Sequence, residues 1–182
     1  MYAHTKWSLL LFVVLSASVA IAHASGERVE FLGDYSSVKS ATGEHCDGYD
    51  VELWKYRGAL IGFLNHHRGL CGDPPMGVME ETLYSAQTGS LSFKVKLSDG
   101  CTLQDGKCIP TRDRVTFRGN FRGQLLEGVV TWFRDDKVQP AYSENVVLSK
   151  DPERFQTRDY ETYAAWMKYW EPILKRRGPQ WQ

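Results

Sequence analysis

The side chains able to do chemistry in this chain fall into a few short clusters. His66-His67 ends an apolar run through Phe63 and Leu64. Imidazole titrates near neutrality, so either ring is suited to acid–base work. Adjacent residues on a strand point to opposite faces, so at most one of the pair can reach a cavity, and a solvated strand end is the plainer role for both. Glu80-Glu81 diverges in the same way. In a barrel one of these carboxylates is expected to turn inward, where it needs an Arg or Tyr partner to offset its burial; so partnered, it would read a ligand. Ser36 and Lys39 have a Ser-x-x-Lys spacing, but the Lys-Thr-Gly that would accompany it in a serine enzyme is missing. The chain has no Gly-x-x-x-x-Gly-Lys, Gly-x-Gly-x-x-Gly, Gly-x-Ser-x-Gly or His-Glu-x-x-His, and no Asn-x-Ser/Thr sequon. No catalytic residue is assigned, and no metal or cofactor is expected.

Four cysteines, Cys46, Cys71, Cys101 and Cys108, make an even set. In an exported chain such a set reads as two disulfides, and the spacing selects one of three connectivities. Residues 51–56 and 60–64 form a hairpin pattern that turns at Arg57-Gly58. Paired residue numbers in a hairpin sum to a constant, so Cys46 falls opposite about residue 69 to 71, and Cys46–Cys71 closes the open end. Cys101 and Cys108 flank a loop carrying the turn dipeptide Asp105-Gly106, and their bridge would clamp its tip. Loop entropy gives about 3.5 kcal/mol for the first bridge and about 2.5 kcal/mol for the second. His45, Cys46, His66, His67, Cys71 and Asp73 also lie close in sequence, but without the Cys-x-x-Cys or His-x-x-x-His spacing of a metal site.

The elements that must position these groups are strands. Leu91, Phe93, Val95 and Leu97 alternate with Ser and Lys; Val115, Phe117, Gly119 and Phe121 alternate with Thr, Arg and Asn. Such one-sided alternation belongs to antiparallel sheets with one wet face. Further strands are expected at 49–56, 59–66, 78–86, 124–133 and 142–148, with 28–32 as an eighth. Arg57-Gly58, Thr88-Gly89 and Arg122-Gly123 mark hairpin centres. Gly62, Gly119 and Gly128 lie inside strands, where glycine often marks a bend or bulge. The expected fold is therefore all-β: seven or eight antiparallel strands in a meander, curled into a small barrel that hides its edges, with an open sandwich as the other solution.

After Lys150 the pattern changes. Asp151-Pro152 suits a helix start, and Tyr160, Tyr163, Met167 and Trp170 recur at helical spacing. A C-terminal amphipathic helix over 158–170 is expected, ended or kinked at Pro172, with its aromatic stripe on the barrel wall or plugging a mouth. The domain reading is 1–24 signal peptide, 25–150 barrel, and 151–182 helix and tail. The barrel resembles the lipocalin–avidin type in architecture only. Arg158 to Tyr163 contains an Asp-Tyr like that of the lipocalin Thr-Asp-Tyr stretch, but it falls in the helical pattern, and the lipocalin Gly-x-Trp near the first strand is missing.

Composition narrows the function. Residues 1–24 hold one basic side chain, Lys6, and no acid, so the 158 residues that follow carry 21 basic and 22 acidic groups, a formal charge of −1. A nucleic-acid binder needs a basic footprint that such a chain lacks. Aromatic residues make up 13% of the chain, ample for a core or a binding surface. The expected function is a non-catalytic binding barrel for a small apolar or amphipathic ligand. The inward residues Phe93, Val95, Val115 and Phe117 would line the pocket if the interior is hollow, and Tyr84, Glu81 and His66 would supply polar groups at one mouth. A secreted protein-binding module, such as a hydrolase inhibitor, would instead use the disulfide-clamped loops 69–76 and 99–113 against an extracytoplasmic partner. An enzyme with scattered site residues is the third reading and has the least support.

Leu9 to Leu15 is a continuous apolar run behind Lys6, and Ala22-His23-Ala24 presents small residues at the positions a signal peptidase reads. Cleavage before Ser25 and secretion or periplasmic delivery are expected, with no membrane span afterwards. The intact mass of the exported protein should correspond to a chain beginning at Ser25; retention of residues 1–24 in that fraction would refute the assignment.

Overall fold

The computed structural model describes residues 28–40, 43, 45–71, 74–97, 101–105, 107–110, 113–134, 137–151 and 160–174. Eleven strands and one helix occur among them: β1 (Glu30–Ser36), β2 (Lys39–Ser40), β3 (His45–Tyr56), β4 (Ala59–Leu70), β5 (Met76–Ser85), β6 (Ser90–Lys96), β7 (Cys101–Gln104), β8 (Lys107–Pro110), β9 (Arg114–Arg122), β10 (Leu125–Phe133), β11 (Tyr142–Lys150) and α1 (Tyr163–Leu174). Eight antiparallel strands close in the order β1-β3-β4-β5-β6-β9-β10-β11, because β1 pairs with β3 on one side and β11 on the other. β2 adds to the edge of β3, and β7–β8 is a separate two-stranded ribbon inserted between β6 and β9. The expected eighth strand over 28–32 lies further along, at 30–36.

Inward side chains make one apolar core. Val51, Leu53, Leu64, Leu91, Phe93, Val95, Val115, Phe117, Leu126, Val130 and Leu148 are all essentially inaccessible to solvent. Phe93 and Phe117 stack at 5.1 Å between centroids across the β6–β9 pair. Gly119 and Gly128 face each other in register, and a Cβ on either would stand 2.5 or 2.7 Å from the Phe117 ring. These glycines therefore make room for an aromatic ring, and the β9–β10 register runs through them without a shift. Register shifts lie instead in β1, between Phe31 and Gly33, and in β5, between Glu80 and Leu83, where Glu81 takes a φ of 49°. The β5 bulge leaves both Glu80 and Glu81 exposed, contrary to the expectation that one turns inward, and Glu81 pairs on the surface with Lys94.

One end of the barrel is closed by tight connections. Arg57-Gly58 and Gly123-Gln124 are two-residue hairpins in which Gly58 and Gly123 take φ of 82° and 63°, values that a residue with a Cβ resists. At the other end lie the longer connections 37–44, 71–75, 97–113 and 134–141. Cys46–Cys71 is bonded there, with its Cα atoms 5.0 Å apart, and Cys46 stands opposite Gly69 as hairpin register predicts. The side chains of Cys101 and Cys108 lie outside the described residues; in the backbone they stand opposite Pro110 and Leu103.

A second core covers the outer face of β3 and β4. Trp54 and Phe63 pack there against Trp166 and Trp170 of α1, with Tyr160, Tyr163 and Met167 at the margin. The helix thus lies on the barrel wall. It starts later than the aromatic spacing predicts: the Thr162 hydroxyl accepts from the backbone of Ala165 at 3.2 Å and caps it. It also continues through Pro172 to residue 174. Packing explains the extension, since Trp170 meets Phe63 at 3.9 Å between ring centroids and holds the turn that Pro172 weakens. Asp151 continues the sheet, donating its N–H to the Asp34 carbonyl, while the helix start expected at Asp151-Pro152 runs into 152–159, outside the described residues.

Trp166→Ala should remove the centre of this second core and cost about 3–5 kcal/mol, the range for a buried Trp reduced to Ala. Urea titration followed by far-ultraviolet circular dichroism measures it. A loss below about 1 kcal/mol would mean that α1 does not hold the wall.

Candidate functional site

The end bearing the long connections is the one where inward side chains change character along each strand. Inward positions run Leu53, Val51, Tyr49, Asp47 on β3 and Leu64, His66, Arg68 on β4. On β10 they run Val130, Trp132 and then Arg134 just past the strand; on β11 they run Leu148, Val146, Glu144, Tyr142 toward its start. Each strand thus passes from aliphatic, through aromatic or amphipathic, to charged. Asp47, His66, Arg68, Arg134, Tyr142 and Glu144 line a recess of about 460 Å³ at this mouth.

The aromatic layer is cross-linked by polar contacts. The Trp132 indole N–H donates to the Tyr49 hydroxyl at 2.8 Å, and that hydroxyl donates to the Glu144 carboxylate. The His66 ring stacks on Tyr49 at 4.9 Å and meets Trp132 edge-on at 4.6 Å, while Trp132 stacks on Tyr142 at 5.7 Å. Burial and the adjacent Glu144 hold the Tyr49 phenol far above its ordinary range. Tyr142 is raised too, by burial and then by Glu144, with Arg68 and Arg134 pulling the other way. Both phenols are protonated donors at neutral pH. Burial, with Arg68 next, lowers the His66 imidazole to about 4 against an opposing pull from Asp47, so this ring is neutral at pH 7.

Such a site can hold a molecule by stacking, hydrogen bonding and charge. Among the described residues, no Ser, Thr or Cys lines the recess to act as a nucleophile. Among the described residues no group of His, Cys, Asp or Glu is arranged to hold a metal ion. Cys46 and Cys71, two of the residues weighed for a metal cluster, are bonded to each other.

Of the site residues expected from the sequence, His66 lines the recess. Phe93, Val95, Val115 and Phe117 face inward but lie in the packed core below it. Tyr84 is 41% exposed and meets Phe121 toward the tight-turn end, and Glu81 stands on the surface bulge. The two histidines do face opposite ways, but neither ends in solvent: His66 is 8% and His67 5% exposed. His67 points to the outer face, where its Nε2 meets Asp50 Oδ2 at 2.7 Å among the buried Asp34, Glu52 and Asn65.

Sequence reasoning missed Tyr49, Trp132, Tyr142, Glu144, Asp47, Arg68 and Arg134. Part of this set was within reach. The hairpin register that pairs Cys46 with Gly69 also sets Tyr49 against His66 and Asp47 against Arg68. The approach of β3 to β11 needed the closed barrel.

The lowered His66 sets a pH dependence. The unfolded chain protonates this ring near 6.5 but the native state only near 4. The group has no effect on stability above about pH 6.5, and stability falls as pH drops from there toward 4, because the unfolded state binds the proton first. Urea unfolding should show wild type losing up to about 3 kcal/mol more than His66→Gln across that window; parallel curves would show that the native ring titrates as if solvated.

No protein-family model, curated protein or solved structure matches this chain, so the site is read from its own geometry.

Proposed function

We propose that this protein is an exported, non-catalytic binding barrel that takes a small amphipathic molecule in the recess at its loop-rich mouth. The observation that carries the reading is the recess itself: about 460 Å³, with polar and charged walls above a layer of stacked rings. That volume lies within the range of ordinary small-molecule sites, and a few placed polar groups over an aromatic floor is how such sites fix orientation. The packed interior supports a ligand at the mouth better than one deep in the barrel. Export is supported by the signal pattern of residues 1–24 and by the Cys46–Cys71 bond, which belongs to an oxidising compartment.

A protein partner is the second reading, because the long connections gather around the same mouth. In that case a segment of the partner would enter the recess, and loops 69–76 and 99–113 would form the surrounding contact.

Nuclear magnetic resonance with a library of small aromatic-polar fragments tests the first reading. Binders should shift the Trp132 indole N–H resonance, and at ~100 times Kd should stabilise the fold by about 2.7 kcal/mol. Tyr142→Ala should weaken them at least about fivefold, roughly 1 kcal/mol, the scale of one ring contact. Tyr84→Ala, remote from the recess, should not. If no fragment moves the Trp132 signal, the mouth is not a small-molecule site.

A further inference from the structure

Charge in the recess is unevenly committed. Glu144 is engaged by the Tyr49 hydroxyl. The guanidinium groups of Arg68 and Arg134 make no ion pair or hydrogen bond with a described side chain, although Asp47 stands directly across from Arg68 in the strand register. Both arginines reach the recess from different strands, and both bear on the Tyr142 phenol, which places their charges around one point of the wall. Arg68 outweighs Asp47 in its effect on His66, while Glu144 outweighs each arginine at Tyr142. The phenol is a neutral donor at the same point, and the His66 ring brings no charge of its own.

Two guanidinium forks and a phenolic O–H converging beside stacked rings form a complement to an oxyanion on a flat body. Guanidinium is the group best matched to carboxylate and phosphate oxygens, because its N–H donors lie in one plane and it stays charged at any ordinary pH. Resting on the mouth-binding reading above, we propose that the recess selects an organic acid: a carboxylate or phosphate ester seated between Arg68 and Arg134, with a planar unsaturated body against Tyr142 and His66, the two rings that line the recess. Neutral amides of the same shape keep the stacking and lose the charge-assisted bonds. Ammonium analogues meet the arginines with like charge.

Four probes of one shape separate these cases: benzoate, phenyl phosphate, benzamide and benzylammonium, each titrated into the disulfide-intact protein at low salt with the Trp132 indole signal as readout. Benzoate or phenyl phosphate should bind at least about tenfold tighter than benzamide, and the preference should shrink as salt rises. Arg68→Gln and Arg134→Gln should each reduce that preference several-fold and the double variant should abolish it, bringing the acids to the level of benzamide. Arg118→Gln, an exposed arginine on the outer face of β9, should leave every affinity as it was. Benzamide or benzylammonium binding as tightly as the acids, or a preference that survives the double variant, overturns the oxyanion assignment while the mouth remains a ligand site. Silence of the Trp132 signal with all four probes overturns both.

Discussion

The structure depends on the pairing of β1 with two neighbours at once. Over Glu30–Ser36 it lies against β3, with a register shift between Phe31 and Gly33, and at Tyr35 and Ser36 it meets Lys150 and Ser149 of β11. Without that seam the eight strands would be an open sheet with two unsatisfied edges. With it, the alternating faces of all eight strands turn onto one core. β1 is antiparallel to both neighbours, so β3 and β11 run parallel on either side of it and continue past its end at Ser36 toward the mouth. There the Tyr49–Glu144 hydrogen bond spans the two strands, and Trp132 supports it from β10. The site is built where backbone pairing gives out and side chains complete the closure.

The two ends of the barrel divide the work. Hairpins of two to four residues at one end leave little chain to vary or to bind. The opposite end carries the long connections, the Cys46–Cys71 bond and the gradient from aliphatic to charged side chains. Loops held by a rigid scaffold are where binding residues concentrate. Here the strand ends themselves supply the recess, so its walls share the stiffness of the sheet, and a neutral His66 and protonated phenols arrive with their donors already oriented.

α1 adds a constraint of a different kind. It buries the outer face of β3 and β4, which makes these strands covered on both sides, unlike β6 and β9. Asp34 of β1 and Asp50, Glu52, Asn65 and His67 of β3 and β4 are also buried, and groups so placed must find partners in the protein. The His67–Asp50 contact is one such pairing. The same wall therefore presents stacked His66 to the recess on its inner face and paired His67 to the covered outer face, one residue apart.

Local chemistry in the sequence determined much of this. Alternation at Leu91–Leu97 and Val115–Phe121 specified inward faces because a pleated strand repeats every two residues, whatever else the chain does. Turn glycines located the hairpins to within one residue, and hairpin register carried Cys46 to Cys71, since both follow from neighbouring residues alone. The helix was legible from its aromatic spacing, but its start at Thr162 and its run through Pro172 were not, because Trp166 and Trp170 are held by rings of β3 and β4 more than 100 positions earlier. Glu81 was misplaced because a bulge, which period-two reasoning does not contain, turns its side chain to solvent. The recess lay furthest from view. Tyr49 and Glu144 are 95 residues apart and Tyr49 and Trp132 are 83 apart, and neither approach has a local cause. They meet only because β1 closes the sheet, and closure is a property of the whole strand order, which no single stretch of residues encodes.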